Sequence, residues 1–141
     1  MSLKDQVRTV AEAMTNVFEI PMPILGLDLD GTIDEAPLFF QILSHRWPGK
    51  VFVVTYRKDQ AKAEADVQKF GIRCDEVIIV DSFGAKAGVI AEKGIDIYFD
   101  DQDEMTGEIP ETVTVFKIRN GGNFDFETRK WLYSGRTGRQ V

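Results

Sequence analysis

The chain has 141 residues, 43% of them hydrophobic and 11% aromatic, enough for one globular domain with a substantial core. A net charge of −6 argues against general nucleic-acid binding, no apolar run approaches the roughly 20 residues of a membrane helix, and the single cysteine, Cys74, excludes an internal disulfide framework. The N-terminus, with Asp5 and Glu12 among its apolar residues, does not read as a signal peptide, so a cytoplasmic location is expected.

Leu3, Val7, Val10, Met14 and Val17 recur at spacings of three and four, which predicts an amphipathic helix over 2–18 with Ser2 as its N-cap. It is expected to pack on the domain, with a homodimer contact as the other use. Residues 24–29 predict a first buried strand, and Leu38, Phe39, Ile42 and Leu43 a short helix ending near Trp47-Pro48-Gly49. Val51–Thr55 predicts a second strand, 59–70 a helix, Val77–Val80 a third strand, 85–93 a helix, Ile95–Phe99 a fourth strand and Val113–Phe116 a fifth. Phe124 to Tyr133 predicts a last helix before a flexible tail over 134–141. Strands alternating with helices predict a single α/β domain over 1–141: a three-layer, doubly wound, Rossmann-like arrangement around a mainly parallel five-stranded sheet.

The charge is unevenly spread. Residues 112–141 carry six basic side chains against two acidic ones, while 1–111 carry 11 against 21. The basic end reads either as a solvated tail or as a group of cations attracting an anionic substrate.

The first strand ends in Leu27-Asp28-Leu29-Asp30-Gly31-Thr32. On a strand, residues i and i+2 share a side, so Asp28 and Asp30 start out facing one region, an arrangement that costs energy unless a cation or proton offsets it. The second strand ends in Thr55, and the fourth runs into Asp100, Asp101, Asp103 and Glu104. In such sheets ligands bind beyond the C-terminal strand ends, and polar residues gather at three of those ends here.

These residues resemble the hallmark of the haloacid dehalogenase-like superfamily: a strand ending Asp-x-Asp-Gly-Thr, a Thr closing the second strand, a Lys early in a later helix (Lys86) and an acidic pair after the fourth strand (Asp100-Asp101). The resemblance spans roughly residues 23–118. It implies phosphoryl-ester hydrolysis, with Asp28 as nucleophile and metal ligand and Asp30 as general acid and base with its backbone carbonyl on the metal. It further implies Thr55 and Lys86 as phosphate-binding groups and Mg²⁺ held by Asp28, Asp30, Asp101 and Asp100, with Asp101 preferred as the direct ligand.

Arg57 is a candidate phosphate fork or a surface charge; Thr-x-Arg here is also similar to phosphatase domains that process polynucleotide ends. Lys93 competes with Lys86 but sits where a helix C-terminus favours a cation. His45 and Cys74 read as structural. Only 24 residues separate Asp30 from Thr55, and 30 separate Thr55 from Lys86, which leaves no room for the cap domain common in that superfamily. The loop 31–37 is then the natural flap. The resulting expectation is a Mg²⁺-dependent phosphatase acting on a phosphorylated substrate, small or macromolecular, including a nucleotide or a nucleic-acid end. The alternatives are a non-catalytic phosphate-binding domain and a phosphotransferase.

Overall fold

The structure, a computed structural model, describes residues 2–6, 22–103 and 107–131. Five strands form one parallel sheet: β1 (Leu25–Leu27), β2 (Val51–Tyr56), β3 (Glu76–Val80), β4 (Ile97–Asp100) and β5 (Thr114–Lys117), in the order β3-β2-β1-β4-β5. Among the described residues the helices α1 (Pro37–Arg46), α2 (Gln60–Lys69) and α3 (Phe83–Glu92) accompany them. The chain steps outward from β1 to β3, then crosses back to lay β4 on the other side of β1. The strand order therefore reverses between β1 and β4, where a doubly wound sheet opens a crevice.

Strand alternation sorts the core into two layers. Leu25, Leu27, Val51 and Val53 pack with Phe40 of α1 and Ala63 and Val67 of α2. Phe52, Val54 and Tyr98 point to the opposite face and pack with Ile90 of α3. Successive residues of β1 and β2 are thus buried on both sides, which explains their continuous apolar runs. This is the expected three-layer Rossmann-like arrangement.

Helix starts follow capping chemistry. Pro37 occupies the first turn of α1, where its missing N–H has no partner to lose. The Asp59 carboxylate accepts the Lys62 N–H (3.0 Å) at the start of α2, and the Ser82 hydroxyl accepts the Ala85 N–H (3.1 Å) at the start of α3. Ser2 likewise accepts the Asp5 N–H (3.1 Å) ahead of a helical stretch over 3–6. The remainder of the N-terminal helix expected over 2–18, Glu104, and the tail 134–141 lie outside the described residues.

The helix expected from Phe124 to Tyr133 is corrected over 124–131 to a β-hairpin, β6 (Phe124–Asp125) with β7 (Lys130–Trp131), while 132–133 lie outside the described residues. The Asp125 carboxylate accepts the Glu127 and Thr128 N–H groups (2.9 and 3.3 Å) and so reverses the chain. Phe124 then faces Trp131 across the strands, ring centroids 4.9 Å apart, a pairing that a helix would break. Among the described residues no helix is long and apolar enough to cross a membrane.

Candidate functional site

The C-terminal ends of β1 and β4 meet at the reversal point, where Asp28, Asp100 and Asp101 are all buried. Each can offer a carboxylate oxygen, and these oxygens lie within 4.8 Å of one another. Asp28 follows β1, and its N–H donates to the Phe99 carbonyl of β4 (3.0 Å). Leu27 and Leu29 face the α1–α2 side of the sheet. Asp28, alternating with them, faces the α3 side, where Lys86 lies one turn into that helix.

The Lys86 ammonium is only 2% exposed and donates to Asp28 Oδ1 (2.8 Å) and Asp100 Oδ2 (3.0 Å). Burial works against its charge, but the Asp28 and Asp100 carboxylates outweigh that and hold its pKa above the usual lysine value. Burial pushes Asp28 well above the usual carboxylate range; Lys86 opposes this, and the charges of Asp100 and Asp101 add to it. Asp28 Oδ1 is also held by the Leu29 N–H (2.8 Å). Its Oδ2 has only a long contact from the Thr32 hydroxyl (3.4 Å), so that oxygen keeps lone pairs for an incoming atom. Lys93, the competing lysine, instead pairs with Glu76 (3.1 Å).

Asp100 is fixed by three donors: Lys86, the Tyr98 hydroxyl (2.8 Å) and the Gln102 N–H (2.8 Å). Tyr98 was not among the residues singled out in the sequence, although its place two before Asp100 puts both on one side of β4. Beyond β4, Arg119 donates to the Asp101 carbonyl and to Asp103 (2.8 Å), and Lys117 donates to the Gln102 carbonyl. The acidic loop is thereby tied to the end of β5.

Asp30 goes elsewhere. Beyond Leu29 the chain turns, and the Asp30 carboxylate takes two hydrogen bonds from Arg57, from Nε (2.8 Å) and Nη2 (2.7 Å). Arg57 Nη1 bonds Asp66 of α2 (2.6 Å), and the guanidinium is 5% exposed. Instead of opening as a phosphate fork, Arg57 spends two of its N–H groups on Asp30 and one on Asp66, and the hydrogen bond to Asp30 leads in holding its pKa above the ordinary arginine value. The Asp30 carboxylate thus stands apart from the Asp28, Asp100 and Asp101 group.

Leu27 pairs with Val53, which sets Thr55 level with the turn just past Asp28. Its hydroxyl is buried and has no hydrogen-bond partner among the described residues. A buried unmet hydroxyl costs about 1–3 kcal/mol and is open to an oxygen of a ligand. His45 hydrogen-bonds the Gly71 carbonyl (2.9 Å), in keeping with a structural role.

The loop 31–37 is not the free flap expected. Ile33 is fully buried, Ile33–Glu35 form a 3-10 turn, and Asp34 accepts the Gly31 N–H (2.8 Å). Gly31 has a φ of +80°, and a Cβ there would lie 2.2 Å from Asp101 Oδ2. Gly31→Ala is therefore expected to lose about 2–4 kcal/mol, from left-handed strain together with overpacking against Asp101. Urea denaturation checks this; an unchanged midpoint would show that the turn is not pressed against Asp101.

No protein-family model matches the chain, and no curated protein does. Among solved structures, a universal stress protein in complex with cAMP is similar, with 11% identity and a TM-score of 0.48 over 69% of this chain and 98% of that one. The resemblance to the haloacid dehalogenase-like superfamily is accordingly corrected: neither a family model nor a curated protein upholds it. Its motifs are runs of one to five residues, short enough to recur at the strand ends of an unrelated parallel sheet. The Rossmann-like α/β architecture stands without a family.

Proposed function

We propose that the protein is a phosphomonoester hydrolase that uses Mg²⁺ and forms an aspartyl-phosphate on Asp28. The observation that carries this reading is the buried group of three carboxylates around one lysine at the sheet's reversal point. A single ammonium leaves negative charge in excess in a site shut off from water, and an all-oxygen donor set suits a hard divalent cation. Asp28, Asp100 and Asp101, with the Asp30 backbone carbonyl, would hold the ion, which supplies charge neutralisation at the transferring group. The unmet Thr55 hydroxyl supports an oxyanion ligand beside it.

In this mechanism the Asp28 carboxylate attacks phosphorus, the ester P–O bond breaks, and the leaving oxygen takes a proton from Asp30. Asp30 then takes a proton from water as the water oxygen attacks the phosphoryl group, releasing phosphate and Asp28. Lys86 fixes the orientation of Asp28, and Thr55 donates to a phosphoryl oxygen. Arg57 engages each Asp30 oxygen once; each keeps a second lone-pair direction for the proton. The same clamp favours a second reading, a phosphate-binding domain without turnover.

The assay separates the two. Turnover of an aryl phosphate is expected with Mg²⁺, to vanish with a chelator and to return on adding Mg²⁺ back. In parallel, Mg²⁺ at 100 times its Kd is expected to stabilise the fold by about 2.7 kcal/mol. Metal-independent turnover sinks the mechanism, and metal-dependent stabilisation without turnover selects the binding domain. The single half-buried cysteine supports placing this chemistry in the cytoplasm.

A further inference from the structure

Beside the acidic group, over the end of β5, lies a cavity of about 670 Å³ lined by Asp103, Lys117, Arg119, Arg129, Lys130 and Trp131. Its position is set by the sheet: Lys117 is the register partner of Asp100, one strand spacing of about 4.8 Å away. Arg119 donates to the Asp101 carbonyl. The cavity therefore lies on the far side of β4 from Asp28.

Four cations face one carboxylate there, in a chain whose overall charge is −6. Lys117 and Arg119 are pinned by Asp103 (3.4 and 2.8 Å). Arg129 and Lys130 line the same space, and no hydrogen bond or ion pair joins either side chain to another described residue. Burial draws the Lys117 pKa below the usual lysine value, and the like charge of Arg119 adds to this; a bound anion would oppose both. The remaining wall is the indole of Trp131, about half exposed and braced edge-on by Phe124. An aromatic face among cations suits a flat, anionic ligand, since stacking a base on an aromatic side chain is worth about 1–3 kcal/mol. The volume falls within the roughly 300–1,000 Å³ of small-molecule sites.

We propose that this cavity receives the base and second phosphate of a nucleotide whose first phosphate lies at Asp28. The second phosphate meets Arg129 and Lys130, and the base stacks on Trp131. The assignment rests on the hydrolase reading for the first phosphate only.

Titration calorimetry with Mg²⁺ on the full-length Asp28→Asn protein tests it, because binding is then read without turnover. Adenosine 3′,5′-bisphosphate is expected to bind at least about 10-fold more tightly than ribose 5-phosphate. Arg129→Gly, added to this protein, is expected to remove most of that advantage. Arg129 has a φ of 57°, which glycine adopts freely, so the guanidinium is lost without backbone cost. Trp131→Leu is expected to weaken the bisphosphate and leave ribose 5-phosphate unchanged. A 5′-phosphorylated dinucleotide distinguishes the source: tighter binding than the bisphosphate assigns a strand end, equal or weaker binding a free nucleotide. Equal affinities for bisphosphate and ribose 5-phosphate, or an unaltered bisphosphate affinity in Arg129→Gly, overturn the assignment. Absence of turnover in the native chain would overturn the hydrolase reading alone and leave the binding comparison intact.

Discussion

Asp28→Asn is expected to reduce turnover of an aryl phosphate by at least about 10⁴-fold while leaving the fold intact, as befits loss of a nucleophile. The substitution keeps the shape of the side chain. An amide oxygen can still accept the Leu29 N–H and the Lys86 ammonium, now 2.8 Å from Asp28 Oδ1. It also removes a charge that burial already disfavours, so in chelator the denaturation midpoint should be equal to or above that of the native chain. Turnover and a urea melt on one preparation check both parts. Retained activity would take Asp28 out of the nucleophile role, and a lowered midpoint would show that the Asp28 charge itself stabilises the fold.

Lys86→Met carries the largest expected effect on stability. Lys86 offers the only side-chain cation within 4.0 Å of Asp28 and Asp100 among the described residues, and removing one member of a buried ion pair costs about 3–5 kcal/mol. Methionine fills much the same volume, so the loss reports charge rather than a cavity. Saturating Mg²⁺ should restore part of the stability, because a divalent cation supplies compensation that methionine cannot. The measurement is a pair of urea melts, in chelator and in Mg²⁺. A variant as stable as the native chain in chelator would mean that the carboxylates relieve their repulsion without the lysine.

The acidic centre was legible because its members interrupt buried strands. Asp28 and Asp100 each end an apolar run, and a carboxylate at such a place has no packing reason to be there. Lys86 was legible by position on its helix, and the sheet follows from the continuous runs of β1 and β2. The Asp30–Arg57–Asp66 chain was not legible: Arg57 lies 27 positions from Asp30, and nothing local distinguishes a guanidinium bound to a phosphate from one bound to carboxylates. The hairpin at 124–131 was missed because an aromatic pair and one Asx turn outweighed a helix-like spacing of large residues. The walls of the basic cavity come partly from that hairpin, so a reader who makes it a helix cannot assemble them. Four short motifs in order suggested a family, yet order and spacing are also what any sheet of this topology imposes on polar residues at its strand ends.

The pairing of β1 with β4 has a consequence for folding. Lys86 stands 58 positions after Asp28, and the two meet only once the chain has gone out through β3 and returned. Such a non-local closure forms slowly, since a long loop must be ordered before its contacts repay the entropy. The carboxylates of Asp28 and Asp100 are therefore brought together only when β4 pairs with β1. A chain in which β4 has not yet paired with β1 is spared a cluster of like charges while its core is still forming.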